Sequence, residues 1–390
     1  MPSHSPAAPA LNAGRRNLSI AAVVASTFGV GIAYGVGYPL TALTFERWGA
    51  PAWLTGLVGS APALAIFLLL PFFPRLVARL GAVPSMALGC VLVAGGFLLM
   101  PLFPSPEAWL VLRFLMGAGL ALPWLVGETW INTLADDSNR GRMIALYSMA
   151  LFGGFALGPV LLGWTGTEGW APFLAGAGGI LLAVLPLVAA ASLAPDMPAH
   201  PSTGVAGALR LAPVAMVAAL VGGALEMTNF SMLPVWATGA GVAQADALLL
   251  LTAFMLGGIA LQLGVGWVAD RLSAQRAAAA SGLALAALVA TLPLWPQGWP
   301  LLLAVFVVGG LTGGLYTLGL TAIGQTVRAQ DLAVANAAFL IAYQAGAMVG
   351  PALGGVAMEV WAPHGLVAVM AAAALLGAVA IAAMRGDRGD

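Results

Sequence analysis

Gly154-Phe155-Ala156-Leu157-Gly158-Pro159 and Gly346-Ala347-Met348-Val349-Gly350-Pro351 share one G-x-x-x-G-P pattern and stand 192 residues apart. The same offset sets Arg79 over Arg271 and Gly117 over Gly309, while Pro74 and Ala78 fall on Gly266 and Asp270. One constant shift over so much chain indicates two homologous halves. Small residues four apart let helix backbones approach closely, and proline bends a helix. Gly154, Gly158 and Pro159, with Gly346, Gly350 and Pro351, therefore read as helix-packing positions.

The surroundings of these repeats are apolar. Of 390 residues 61% are hydrophobic and 7% charged, and the mean hydropathy is +0.99. A soluble domain carries about 25% charged residues, so water is not the solvent for most of this surface. A net charge of +0 leaves no basic face for nucleic acid. Cys90 is a lone cysteine, and His4, His200 and His364 are too scattered for a metal site. No cofactor is expected, and without a Walker-type G-x-x-x-x-G-K there is no sign of direct ATP drive.

A helix needs about 20 mostly apolar residues to cross a bilayer core. Apolar runs between polar or Pro/Gly breaks place six spans near 18–45, 53–73, 83–103, 107–132, 142–164 and 170–193. Six more lie near 211–238, 246–269, 276–295, 299–324, 333–360 and 365–384. The expectation is an all-α polytopic membrane protein of twelve transmembrane helices in two pseudo-symmetric six-helix bundles. The bundles cover 18–193 and 211–390, joined by a linker over 194–210 and preceded by a disordered tail over 1–17. Orientation follows from arginine placement, since every cationic side chain is Arg. With the N-terminus inside, twelve of fourteen arginines fall on the cytoplasmic side, and only Arg47 and Arg113 depart. The positive-inside rule then puts both termini in the cytoplasm and the protein in the inner membrane.

The stretch Gly266-Trp267-Val268-Ala269-Asp270-Arg271 resembles the G-x-x-x-D-R loop signature of the major facilitator superfamily. Its counterpart from Pro74 to Gly81 has Ala78 in place of the acid and keeps Arg79. Arg113 to Gly119 resembles the family's R-x-x-x-G-x-G pattern in the fourth helix. Glu128-Thr129-Trp130-Ile131-Asn132, with Arg140-Gly141-Arg142 and Tyr147, is similar to a bacterial branch of YcaD-like permeases. The resemblance implies secondary transport by alternating access, with a solute cavity between the halves. It also implies a gate in which Asp270 and Arg271 meet the start of the fifth helix near Arg142. Arg79 supplies the weaker counterpart, since Ala78 cannot repeat the acid. The fifth-helix glycine pattern also resembles one associated with drug and proton antiporters, although the fuller copy stands in the eleventh helix.

Charge inside the membrane is the sharper signal, because a charge at the bilayer centre costs at least ~3 kcal/mol and marks a pathway. At 1.5 Å per residue, Arg113 lies about 9 Å below the outer surface and Glu226 about 22 Å above the inner one. The two are placed to meet across the cavity. Glu226 then carries the coupling proton, its protonation tracking the pair, or holds a cationic substrate. The alternative is a static pair that pins the fourth helix to the seventh. Glu128 falls at the inner boundary and has two readings, a coupling carboxylate or an interfacial one near Arg140 and Arg142. Glu46 reads as solvated. On the helices that the resemblance assigns to the cavity stand Tyr34, Tyr38, Trp124, Asn229, Gln262, Tyr316, Asn336, Tyr343 and Gln344. Each also reads as a helix–helix hydrogen bond or an interface anchor. Together they describe an apolar cavity with few polar handles, suited to an amphipathic or aromatic solute rather than a sugar. The expected function is proton-coupled secondary transport of such a solute by a monomer, with direction open. The alternative is a non-transporting membrane sensor or scaffold of the same fold. An intramembrane enzyme would need paired catalytic groups that the sequence does not display.

Overall fold

The computed structural model describes residues 13–134, 140–195, 209–262, 264–265, 271–328 and 331–384. Among the described residues all regular structure is helical. The first half comprises α1 (Ala13–Arg47), α2 (Ala52–Leu69), α3 (Phe73–Leu80), α4 (Ala82–Leu99), α5 (Pro106–Leu134), α6 (Arg140–Thr165), α7 (Ala171–Leu182) and α8 (Val184–Ala189). The second comprises α9 (Pro213–Gly239), α10 (Gln244–Ala260), α11 (Ala274–Thr291), α12 (Trp299–Thr326), α13 (Leu332–Val360) and α14 (Gly365–Ala383).

Eleven helical stretches among the described residues are long and apolar enough to cross a membrane, with α7 and α8 counted as one. The 17-residue α10 stands at the place of the eighth expected span. Most boundaries fall within a few residues of expectation, with three differences. The first helix begins at Ala13, so residues 13–17 are helical rather than tail. The second span ends at Leu69, and the separate eight-residue α3 follows it. The sixth span breaks at Ala183, where the α7 cap bends into α8 and Pro186. Residues 1–12 of the expected tail and 196–208 of the expected linker lie outside the described residues. Outward-facing positions are large and apolar: Leu182 is 65% exposed, Leu376 70% and Trp299 74%. Such a surface is stable against lipid and not against water.

The 192-residue repeat recurs in the packing. A side chain added at Gly154 of α6 would strike the Phe28 carbonyl of α1, and one at Gly346 of α13 would strike the Leu220 carbonyl of α9. Gly117 lies on the Pro62 backbone as Gly309 lies on that of Phe254. In these two cases both partners keep the same offset, so the two halves pack equivalently at these contacts. Gly49 and Gly241, also 192 apart, make equivalent turns after α1 and α9 with φ of 68° and 83°, a conformation open to glycine at little cost. Gly158 and Gly350 likewise abut α1 and α9.

The seam between the halves is less symmetric. In α2, Gly56 and Gly59 lie against Pro351 and Ser231, while Gly355 of α13 lies on Ala52 and Trp53. The equivalent positions in α10 are Leu248 and Leu251. There the seam to α6 is filled by side chains instead, with Thr252 donating to the Ala156 carbonyl at 3.3 Å.

Candidate functional site

Parity of the helices puts Ala13 and Met384 at one end of the bundle, here the terminal end; the other is the far end. Between the halves lies a cavity of about 400 Å³. Its walls come from α1, α2, α5 and α6 on one side and α9, α12 and α13 on the other, with Gln262 beyond α10. It runs from Asn132 and the exposed Asn336 at the terminal end up to Tyr34 and Tyr38. Above these, Phe230 meets Tyr38 at 5.8 Å and Phe155 at 5.0 Å between ring centroids. Aromatic rings from α1, α6 and α9 therefore close the far side.

Of the sequence candidates, Tyr34, Tyr38, Trp124, Glu128, Glu226, Gln262, Tyr316, Asn336, Tyr343 and Gln344 line this cavity. Glu128, read above with an interfacial alternative, faces the same space as Glu226. Glu226 is 7% exposed and lines the cavity together with Tyr343. Tyr316 packs edge-on to Tyr343 at 5.5 Å and lines the cavity with both carboxylates. Tyr147, in the sequence motif but not among the cavity candidates, also lines the wall and donates to the Trp124 carbonyl at 3.0 Å. The amide nitrogen of the buried Gln344 has no hydrogen-bond partner.

Two candidates sit elsewhere. Asn229 is 1% exposed and turns away from the cavity, its amide donating to the Leu225 carbonyl at 2.8 Å and approaching the Met370 sulfur at 3.6 Å. It pins α9 to α14. Arg113 does not pair with Glu226. Its guanidinium is fully buried, lies 4.5 Å from the Tyr38 ring centroid, and none of its three nitrogens has a hydrogen-bond partner among the described residues. Gly37 makes the room: a Cβ there would lie 2.6 Å from Nη1. Tyr38, stacked on Tyr34 at 6.0 Å, separates this charge from the cavity. Chain distance gives the height of both groups along their helices, and packing decides their azimuth.

At the gate, Asp270 lies outside the described residues, as does the side chain of Arg142. Arg79 is exposed at the end of α3, and Arg271 stands just before α11.

The far end carries a lock that the residue reading missed. Thr238 of α9 donates to Glu46 of α1 at 2.7 and 2.9 Å. Glu46, expected to be solvated, is thus an inter-half contact. The positions 46 and 238 are 192 apart, so this contact joins one repeat position to its own equivalent. Two more contacts flank it. Glu359 accepts from the Ala52 amide at 2.9 Å, capping α2, and Gln244 donates to Thr167 at 3.1 Å. Positions 52 and 244 are equivalents, and so are 167 and 359. The three contacts are therefore related by the pseudo-two-fold axis. Arg47 braces the site within its own half, bridging to Glu168 at 2.6 Å and donating to the Thr167 carbonyl at 2.6 Å.

Exposed hydrogen bonds of this kind contribute about 0.5–1.5 kcal/mol each. Removing two with Glu46→Ala and Glu359→Ala should shift the populations roughly tenfold toward a far-end-open state. Spin labels at Trp164 and Trp299, exposed on opposite halves, should report a longer distance in the double variant. An unchanged distance distribution would show that the aromatic plug alone holds this end.

The comparisons agree with this architecture. The family model described as Major Facilitator Superfamily matches residues 18–243 and 214–389. "Uncharacterized MFS-type transporter YfkF" of Bacillus subtilis is 24% identical over 340 residues, 84% of this chain and 86% of that protein. "Uncharacterized MFS-type transporter YcaD" of Salmonella enteritidis is 24% identical over 330 residues, with 84% and 86% covered. Among solved structures, a mutant of the nucleoside transporter NupG superposes with a TM-score of 0.77 at 14% identity, over 94% of this chain and 100% of that one. A bacterial homologue of the lysosomal transporter Spinster, in an inward-facing and occupied conformation, gives 0.77 at 15% identity over 95% and 97%. With both halves matched by the family model, the chain is a multi-pass membrane protein that belongs to the major facilitator superfamily of secondary transporters.

Proposed function

We propose that the chain moves a small amphipathic or aromatic solute across the inner membrane by alternating access, coupled to protons, with both termini in the cytoplasm. The observation that carries the reading is the cavity itself: it lies between two repeat-related halves, reaches the terminal end, and is closed at the far end by rings and breakable hydrogen bonds. Rocking of one half against the other would break the far-end contacts and expose the same residues on the opposite side. The arginine distribution supports the orientation, which makes this an inward-facing arrangement. Every wall of the cavity comes from one chain, so a monomer suffices. Glu226 is the coupling candidate, since it is a buried carboxylate on the cavity wall with no salt bridge to it among the described residues.

Two steps test the proposal. A thermal-shift panel of metabolites and antibiotics on the purified protein identifies solutes. Proteoliposomes with an imposed pH gradient then measure accumulation. One proton exchanged or cotransported per solute sustains a roughly tenfold gradient per pH unit. Accumulation that ignores the pH gradient would remove proton coupling. A protein that binds solutes but never moves them would be the sensor of the alternative reading.

A further inference from the structure

Resting on that reading of the cavity as a solute site, we propose that it selects organic cations with an aromatic body. Glu128 and Glu226 hold the charge between them, and the tyrosine rings that line the cavity surround it.

The chain contains five tyrosines, and all five line this one cavity: Tyr34, Tyr38, Tyr147, Tyr316 and Tyr343. Tyrosines that anchor helices at the membrane surface would be scattered over both interfaces. These are gathered in one place from α1, α6, α12 and α13. An aromatic face attracts a cation through its quadrupole, and cages of such faces bind ammonium groups. The same chemistry is already used next door, where the Arg113 guanidinium lies 4.5 Å from the Tyr38 ring centroid.

Charge points the same way. Among the described residues the two carboxylates are the charged side chains of the wall, and no Arg, Lys or His lines it. The nearby Arg113 is sealed behind Tyr38, with no exposed surface. An anion entering here would meet two carboxylates and no counter-charge, which costs free energy in a desolvated space. A cation meets opposite charge, aromatic faces and, at about 400 Å³, room for a small ring system. Glu128 belongs to the first half and Glu226 to the second, so a cation engaged by both also bridges the halves. Tyr316 lines the cavity and packs edge-on to Phe339 at 5.1 Å and Tyr343 at 5.5 Å, which holds its ring in the wall.

Three probes with one ring frame separate the possibilities: N-methyl-4-phenylpyridinium as permanent cation, 4-phenylpyridine at alkaline pH as neutral form, and biphenyl-4-carboxylate as anion. Binding is measured by calorimetry on the purified full chain in nanodiscs. The cation should bind at least roughly tenfold tighter than the neutral form, and the anion should not bind. Glu128→Gln and Glu226→Gln should each weaken the cation roughly tenfold and leave the neutral probe unchanged, which also reports that the variants are folded. Tyr316→Phe, which keeps the ring, should retain cation binding, and Tyr316→Leu should lose it.

Equal affinity for cation and neutral probe would overturn the proposal. So would binding of the anion, no detectable cation binding up to about 1 mM, or a double Gln variant that binds the cation like wild type. The transport reading fails separately. Cation binding without proton-driven accumulation would remove coupling and leave the selectivity standing. Proton-driven accumulation of a neutral or anionic solute would do the reverse.

Discussion

Glu226→Gln is expected to abolish proton-driven accumulation in proteoliposomes while leaving solute exchange at saturating concentration intact. A static ion pair with Arg113 would predict something else, because breaking one side of a buried pair costs roughly 3–5 kcal/mol and gives a poorly folded protein. Among the described residues there is no such pair to break: Glu226 lines the cavity with Tyr343, and Arg113 lies over Tyr38. Glutamine keeps the shape of the side chain and an oxygen that can accept a hydrogen bond, so insertion and thermal stability should change little. What it loses is the ability to take up and release a proton. With a one-unit pH gradient the accumulation ratio should therefore fall roughly tenfold, to near unity, while counterflow of labelled solute persists. Undiminished accumulation by this variant would end the coupling role of Glu226 and move attention to Glu128.

The sequence is most informative along the helix axes and least informative around them. Span positions, the repeat, and the heights of Arg113 and Glu226 all follow from chain distance at 1.5 Å per residue. Which way a side chain points follows from packing between helices that the chain order leaves open. Asn229 illustrates this: it lies less than one turn from Glu226, yet it faces Met370 on α14 rather than the cavity. Glu128 shows the converse. Its neighbours Arg140 and Arg142 favour an interfacial reading, but its helix face turns it into the cavity with Glu226. Two other findings are within reach of the residues alone. The repeat offset applied to Glu46 leads to Thr238, which is its far-end partner. The chain's five tyrosines all stand on helices that form the cavity wall, and Tyr147 belongs to the quoted motif.

The second large effect is expected at Arg113, where stability and function should move in opposite directions. A guanidinium presents five donors in a fixed fork, and here it is fully buried with no acceptor for any nitrogen among the described residues. The Tyr38 ring offsets part of the cost, since a desolvated cation over an aromatic face gains about 2 kcal/mol. It supplies no hydrogen bonds. Methionine has a comparable unbranched reach and no charge, and it can fill the space over the Tyr38 ring and beside Gly37 that the guanidinium occupies. Exchanging buried ionic groups for well-packed apolar ones often stabilises a protein by about 1–4 kcal/mol. Arg113→Met should therefore raise the unfolding temperature in detergent by several degrees. A charge held at such expense in one conformation is explained if another conformation uses it. If the far end opens by parting Tyr38 from Phe230, the guanidinium would face the space between the halves, where Glu226 or water can satisfy it. Without that charge the far-end-open state loses its compensation, so transport by Arg113→Met should fall at least roughly tenfold, as for a conformation disfavoured by about 1.4 kcal/mol. Arg113→Lys should recover only part of it, because an ammonium is a point charge that cannot match the planar fork. Spin labels at Trp164 and Trp299 would show the cause as a population locked in the far-end-closed state. If Arg113→Met were less stable than wild type, or transported equally well, the switch between Tyr38 and the open space would be refuted.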